Sequence, residues 1–137
     1  MKSRVLKTEL VEVLVPGGST GVNYAIGQQY TNLQGGRVTK IEVLDSTIVS
    51  KSPKNVANIN STVMGKAYLE TFDSGKLLMN KMPLGRLRKV AGVSEDVPEL
   101  VPFKIDLSST KIVLSESGVA NGISATDEAF ILLFYYE

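Results

Sequence analysis

The sequence predicts an all-β fold, an antiparallel β-sandwich of eight strands. Short segments rich in Val, Ile, Leu, Thr and Tyr recur along the 137 residues, and clusters of Gly, Pro, Asn, Asp and Ser separate them. Apolar patterns of helical period and useful length are missing. The chain length, together with the lack of an internal repeat or a linker, predicts a single domain over residues 1–137.

Four predicted strands lie in the first half of the chain, and turn-forming residues end each of them. They are Arg4–Val15, Val22–Tyr30, Arg37–Val49 and Thr62–Phe72. In the third strand, strict alternation places Val38 on the same face as Lys40 and Glu42. The polar connection before the fourth strand has room for one helical turn.

The other four predicted strands are Lys76–Asn80, Leu100–Leu107, Lys111–Ser115 and the terminal segment 129–137. Asp73–Gly75 predicts a tight hairpin turn, and Pro83 predicts a short helix carrying Leu84, Leu87 and Val90. Eight strands suit a jelly roll, whose strands form two packed sheets. The rival is an immunoglobulin-like sandwich, which usually has a buried Trp and often a Cys pair, and this chain has neither.

The composition excludes several functional classes. Hydrophobic residues make up 43% and charged residues 21% of the chain, which is typical of a folded domain. A net charge of +1 gives no general attraction for nucleic acid. The sequence contains no His and no Cys, so the usual zinc, copper and iron–sulfur ligands are missing and imidazole-assisted nucleophiles are excluded. We therefore expect no enzyme activity, no cofactor and no metal site.

Two short motifs match functional patterns by chance. Gly17–Gly21 reads GGSTG and fits the nucleophile elbow G-x-S-x-G, but that motif needs a His base and a following helix. We interpret it as a hairpin loop. Asn60–Thr62 is a glycosylation sequon, which we interpret as an incidental junction between loop and strand.

A cluster of basic residues precedes the acidic segment that contains Glu95, Asp96 and Glu99. Its members are Lys81, Arg86, Arg88 and Lys89. The more specific interpretation is that this cluster binds the phosphates of a nucleic acid. The cluster has no aromatic residue for base stacking, and the acidic neighbours favour a solvated loop or charge pairing between subunits. Nucleic acid is therefore not an expected partner.

The terminal stretch AFILLFYYE is apolar on both strand faces, because Phe130, Leu132 and Phe134 alternate with Ile131 and Leu133. Such a strand needs a central position or a partner, since an exposed apolar edge aggregates. Leu10–Val15 has the same character. We therefore predict a homo-oligomer that uses these two strands and the loop Leu84–Lys89. The expected interface residues are Leu10, Val11, Val13, Leu84, Arg86, Leu87, Arg88, Phe130, Leu132, Phe134, Tyr135 and Tyr136.

The chain resembles single jelly-roll structural proteins of viruses, particularly bacteriophage capsid, penton and decoration subunits. The stretches VPFKIDLSSTKIVLS, YLETFDSGKLLM and AFILLFYYE carry the resemblance, together with the expected strand order. It implies a trimer or pentamer that contacts other virion proteins, assembles in the host cytoplasm and has no catalytic residues. The start of the sequence has no secretion signal, and no run is long enough to span a bilayer.

The alternative is a β-sandwich module that binds carbohydrate or a cell-surface ligand. Tyr24, Tyr30 and Tyr68 would then be its stacking platform. An enzyme ranks third, because cupin-type jelly rolls bind their metal through His. Saturable ligand binding by a monomer would indicate the module, and assembly without ligand would indicate the structural subunit.

Overall fold

The computed structural model describes residues 7–27, 29–73, 76–89 and 100–137. These ranges contain nine strands and two single-turn α-helices, α1 (Thr31–Gly35) and α2 (Ser61–Met64). The strands are β1 (Lys7–Val15), β2 (Asn23–Ala25), β3 (Val38–Leu44), β4 (Ala57–Asn58), β5 (Ala67–Asp73), β6 (Lys76–Pro83), β7 (Arg88–Lys89), β8 (Lys111–Leu114) and β9 (Glu128–Tyr136). Two 3-10 helices cover Leu84–Arg86 and Ser117–Gly122.

The strands form two sheets, which confirms the all-β prediction. The five-stranded sheet has the order β1-β9-β3-β7, with β4 beside the start of β9. The four-stranded sheet has the order β2-β8-β5-β6. The expectation of a purely antiparallel fold is wrong in two places, because the short strands β7 and β4 run parallel to β3 and β9. Each of these ladders spans only two residues, so the sheets remain mainly antiparallel.

The antiparallel pairs are nested along the chain. The first strand, β1, pairs with the last, β9, and β2 pairs with β8. Val38 at the start of β3 forms an antiparallel bridge to Phe103, and β5 pairs with β6 as the innermost hairpin. The chain thus resembles one long hairpin whose successive pairs alternate between the two sheets.

One hydrophobic core lies between the sheets. Val11, Ile41 and Phe130 enter it from the five-stranded sheet, and Leu69 and Ile112 enter it from the four-stranded sheet. All five side chains are fully buried. Burial of side chains of this size contributes about 1.5–3 kcal/mol each before entropy is counted. The core therefore explains why the inward positions of both sheets are Val, Ile, Leu and Phe.

A β-bulge at the start of β3 reverses the expected side-chain alternation. Val38 pairs with Tyr136, but Lys40 pairs with Tyr135, so Thr39 is an extra residue in β3. Val38 therefore lies in the core and not beside Lys40 on the other face, which corrects the sequence prediction. The Thr39 carbonyl accepts a hydrogen bond from the Leu100 N–H at 2.7 Å, so this backbone group of the bulge has a partner in the segment that begins at Leu100.

Four predicted strands are shorter than expected, for local reasons. Arg37–Val49 ends as β3 at Leu44, because a turn follows in which the Asp45 carboxylate accepts a hydrogen bond from the Thr47 N–H. Val22–Tyr30 is reduced to β2, because Gly27 takes a positive φ of 91° and turns the chain away from the sheet. Leu100–Leu107 keeps only the bridge at Phe103, since Pro102 has no N–H to donate to a ladder.

Thr62–Phe72 begins as a strand only at Ala67, after α2. The predicted hairpin of β5 with β6 is confirmed, although Ser74 and Gly75 at its turn lie outside the described residues.

Candidate functional site

The terminal strand β9 is central in its sheet, with β1 on one side and β3 on the other. Its inward residues Phe130, Leu132 and Phe134 are fully buried, and Tyr136 is nearly so. On the opposite face Ile131 is also fully buried. The chain itself therefore covers most of both faces of this apolar strand, and half-buried Leu133 and Tyr135 retain exposed surface on the outer face.

Strand β1 lies beside β9 at the end of its sheet, and no strand among the described residues pairs with its other side, which we call the free edge. All nine of its residues pair with β9 without a register shift, from Lys7 opposite Tyr136 to Val15 opposite Glu128. Val11, Val13 and Val15 point into the core. The outward positions include half-buried Leu10 and the 50% exposed Leu14. The edge strand thus presents apolar side chains on the outer face of the five-stranded sheet.

The side chain of Tyr30 binds the free edge of β1 at one point. Its hydroxyl accepts a hydrogen bond from the Glu12 N–H at 3.0 Å and lies 3.3 Å from the Glu12 carbonyl oxygen, to which it donates. Tyr30 precedes α1, and Leu33 of that helix is fully buried in the core. The short helix therefore fixes the tyrosine against the strand.

A small polar cluster lies on the outer face of the same sheet, where β3 pairs with β9. The Tyr135 hydroxyl donates to a carboxylate oxygen of Glu42 at 2.5 Å. The Lys40 ammonium lies 4.0 Å from the other oxygen of Glu42 and 5.2 Å from the centre of the Tyr135 ring. Lys40 and Glu42 are both buried. Sequence reasoning missed this cluster, although two charges at alternate positions of an otherwise apolar strand were a signal of it.

The loop after β6 turns its apolar residues inward. Leu84 and Leu87 belong to the core, while Arg86 is exposed. Arg88 in β7 forms an ion pair with Asp45 at the end of β3, where the guanidinium approaches one carboxylate oxygen at 2.5 and 2.6 Å. The other oxygen of Asp45 accepts hydrogen bonds from the Thr47 N–H and hydroxyl. This ion pair joins β3 and β7 within one chain.

The predicted interface residues therefore fall into two groups. Eight have side chains buried within their own chain, and a covered side chain offers no surface to a neighbour: Val11, Val13, Leu84, Leu87, Phe130, Leu132, Phe134 and Tyr136. Four keep exposed surface, namely Leu10, Arg86, Arg88 and Tyr135. Leu10 and Tyr135 lie on the outer face, on the strands β1 and β9. Association between copies itself stays a prediction.

The basic cluster is only partly described. Lys81, Arg86 and Arg88 are exposed, and Lys89 is half-buried. The acidic residues that follow, from Glu95 to Glu99, lie outside the described residues, as does Val90 of the predicted short helix. An apolar pocket of about 520 Å³ opens beside this loop, lined by Met82, Pro83, Arg86, Leu87 and Leu100.

The three tyrosines of the carbohydrate alternative do not share a surface. Tyr24 faces the core opposite Ile112, and its hydroxyl donates to the Gly21 carbonyl oxygen at 2.7 Å. Burial raises the pKa of the Tyr24 phenol. Tyr68 pairs with Val113 and lies on the opposite face of the same sheet. Tyr30 contacts β1 of the other sheet. A stacking platform built from these three residues is therefore a wrong expectation.

The GGSTG loop is fixed by the segment that precedes β9. The Gly17 N–H donates to the Asp127 carboxylate at 2.8 Å, and the Gly18 N–H donates to the Ser124 carbonyl oxygen at 2.9 Å. The Ser19 hydroxyl donates to the Pro16 carbonyl oxygen. The loop connects β1 in one sheet to β2 in the other and holds its serine in a local turn, so the expectation of a hairpin loop is wrong.

The sequon asparagine has a structural role. Asn60 is the N-cap of α2, where its side-chain oxygen accepts a hydrogen bond from the Val63 N–H at 3.0 Å. Its side-chain nitrogen donates to the Gly122 carbonyl oxygen at 3.1 Å and to Glu128 at 3.3 Å. A glycan on that nitrogen would displace these bonds.

Within the part of the chain that the structure describes, no group of three acidic side chains is placed to hold a metal ion. No helix among the described residues is long and apolar enough to cross a membrane. No known family model matches the chain, and neither a curated protein nor a solved structure shows significant similarity to it.

Proposed function

We propose that the protein is a non-enzymatic structural subunit of a virus or bacteriophage particle, which self-assembles through apolar strand contacts. The observation that carries this proposal is the free edge of β1. Its nine residues are regular, and Leu10 and Leu14 keep exposed apolar surface beside it. A long edge of this kind is a template for pairing with another chain unless it is guarded. Tyr30 contacts this edge at Glu12, and assembly would cover the leucine surface that the single chain leaves exposed.

The nested strand order supports the jelly-roll type within this proposal. A jelly roll is a long hairpin rolled into two sheets, so that the first strand lies beside the last and the second beside the next to last. The pairs β1–β9, β2–β8 and β5–β6 have this relationship. The bridge from Val38 to Phe103 provides the third pair, and β4 is an addition.

The jelly-roll architecture occurs in viral capsid proteins, lectins and cupins. A fold of this type does not fix a function, so the choice depends on surfaces. The tyrosines do not form a common stacking surface, whereas the outer face near β1 presents apolar residues. The proposed partners are further copies of the chain, as a trimer or pentamer, and other proteins of the particle. The proposed location is the virion.

Light-scattering mass on a sizing column, followed by negative-stain microscopy, tests the proposal. The expected result is a closed assembly of defined mass without added ligand. Leu14→Lys places a charge on the apolar surface and should lower that mass. Leu77→Lys is the matched control, because Leu77 is 48% exposed on β6 of the other sheet. A monomer at every concentration up to the solubility limit would overturn the proposal.

A further inference from the structure

The free edges of the two sheets differ in how they are protected. Strand β2 has three residues, and β7 has two. Strand β6 carries Lys81 at a positive φ of 52° and ends at Pro83, and an irregular backbone, Lys and Pro all discourage pairing. Among the described strands, β1 alone combines the length of an edge strand and a regular backbone with two leucines, Leu10 and Leu14, at outward positions. It is therefore the edge best suited to accept another strand.

The contact with Tyr30 shows which backbone groups of β1 face outward. Tyr30 binds the N–H and C=O of Glu12 from the side opposite β9. In an antiparallel pair the hydrogen-bonding direction alternates with every residue. The backbone groups of Thr8, Leu10 and Leu14 therefore point to the same free side as those of Glu12. Tyr30 already binds the backbone groups of Glu12. On the N-terminal side of this contact, the backbone groups of Thr8 and Leu10 remain available to a new strand.

On the C-terminal side of this contact, β1 offers few backbone groups for pairing. Leu14 is its single outward residue within β1, and Pro16 follows with no N–H to donate. A new strand should thus lie along the first half of β1. It adds main-chain hydrogen bonds to a sheet edge, as in strand addition between proteins.

Charge and hydrogen bonding then select a register for pairing with a second copy. A two-fold axis at Glu9 would place the two Glu9 carboxylates opposite each other, which is destabilising. An axis at Leu10 or Val11 would require the Glu12 backbone groups that Tyr30 binds. An axis at Thr8 places Lys7 opposite Glu9 twice, and opposite charges across a strand pair are favourable.

We infer that β1 pairs antiparallel with β1 of a second copy about a two-fold axis at Thr8. Each copy then places its Lys7 opposite the other copy's Glu9, and the same patch serves both subunits. The inference rests on the proposed function and names one of its contacts. Within β1 this axis pairs only residues 7–9 of each copy, and a ladder of three residues buries less area than a stable dimer needs. It therefore links copies that other contacts also hold, for instance one trimer or pentamer to the next.

Single cysteines test this register, because the chain has no cysteine of its own. Residues opposite each other in a hydrogen-bonded antiparallel pair have Cα atoms about 5.5 Å apart, which is within disulfide range. Thr8→Cys should therefore form a disulfide-linked dimer under mild oxidation about tenfold faster than Leu77→Cys, the exposed control on β6, because local concentration at the axis is high. Leu10→Cys should resemble the control.

A charge exchange provides a second, independent readout. Lys7→Glu and Glu9→Lys should each slow the cross-linking of Thr8→Cys, and the two together should restore it. Restoration is specific to the register in which residues 7 and 9 face each other. Lys7 is exposed and Glu9 half-buried, both at the start of β1, so these variants are expected to fold.

The outcomes separate the inference from the proposed function. Rapid cross-linking at Thr8 with restoration by the exchange supports the inference. Faster cross-linking at Leu10 overturns the register. An assembled protein whose Thr8→Cys variant cross-links no faster than the Leu77→Cys control overturns the inference and leaves the proposed function standing. A wild-type monomer overturns both.

Discussion

The Tyr30 hydroxyl binds both backbone groups of Glu12, the N–H at 3.0 Å and the carbonyl oxygen at 3.3 Å. It thereby occupies the outward hydrogen-bonding positions near the middle of an edge strand. A side chain at this position works as a partial substitute for a neighbouring strand, since it satisfies backbone groups that would otherwise bind water or another chain. Tyr30 therefore both stabilises the edge and limits how another strand can approach it.

Tyr30→Phe should lower the free energy of unfolding by about 1 kcal/mol, because one hydroxyl and its backbone hydrogen bonds are lost. Urea denaturation measures this change. Tyr68→Phe is the matched control, since Tyr68 is also half-buried and the described part of the chain shows no hydrogen bond to its hydroxyl. Equal destabilisation by the two variants would contradict a specific role for Tyr30. The freed Glu12 groups should also let Leu10→Cys cross-link faster in the Tyr30→Phe background.

Asp45 makes stability depend on pH. Burial opposes its ionisation, but hydrogen bonds from Thr47 and Arg88 and the charge of Arg88 outweigh burial and hold the pKa of Asp45 below its ordinary value. A carboxyl with a lowered folded-state pKa contributes stability above its unfolded-state pKa, about 3.9 for Asp, and loses it as the pH falls through the folded value. The hydrogen-bonded ion pair should thus weaken in acid.

Asp45→Asn should reduce the free energy of unfolding by about 1–3 kcal/mol at pH 7, as expected for hydrogen bonds to a charged group. The difference from wild type should shrink as the pH falls below about 4. Urea titrations from pH 7 to pH 2.5 measure it. Glu116→Gln removes one negative charge from an exposed position after β8 and serves as the control. A difference that stays constant with pH would contradict the role of the Asp45 carboxylate.

Asn60→Ala should destabilise the protein by about 1 kcal/mol, the usual loss when an N-cap is removed. The side chain caps α2 and also bonds Gly122 and Glu128, so its removal leaves three groups without that partner. Thr62→Ala abolishes the sequon without touching the cap, and Thr62 is exposed. Thermal unfolding of both variants shows whether stability depends on the Asn60 cap or on the other residues of the sequon. A larger effect from Thr62→Ala would contradict the capping role.

The loop that carries the chance GGSTG motif yields a steric prediction. A Cβ on Gly17 would clash with the Ala125 carbonyl group, whereas one on Gly21 would meet open space. Gly17→Ala should therefore cost about 1–3 kcal/mol of stability, since backbone must move to relieve the overlap. Gly21→Ala, the matched control, should be near neutral. Similar urea midpoints for the two variants would contradict the close approach of the loops.

Sequence patterns predicted the regular parts of this fold because local residue choice determines them. Asp73 and its neighbours mark the hairpin of β5 and β6, and Pro83 marks the short helical turn after it. The apolar residues of β9 called for either a central position or a partner chain, and the structure places the strand between β1 and β3. In each case the deciding residues lie within a few positions of the element that they specify.

The remaining features depend on contacts between distant parts of the chain. The bulge at Thr39 follows from pairing with β9 and with Leu100, so alternation alone misplaced Val38. Tyr30 was assigned to a strand, and its contact with Glu12 joins positions 18 residues apart. The cluster of Glu42 with Tyr135 spans 93 residues. The periodicity of a single sequence carries no information on contacts between distant residues. The side-chain contacts on the outer face could therefore not be predicted.

The two faces of β9 should respond differently to truncation. Leu132 is fully buried in the core between the sheets, so Leu132→Ala should cost about 2–5 kcal/mol through the cavity that it leaves. Leu133 is half-buried on the outer face beside Leu10, so Leu133→Ala should cost clearly less in the isolated subunit. Urea denaturation at a concentration where the protein is monomeric makes the comparison. If the proposed assembly covers this face, Leu133→Ala should also reduce the assembled mass, whereas an unchanged mass would remove Leu133 from the contact.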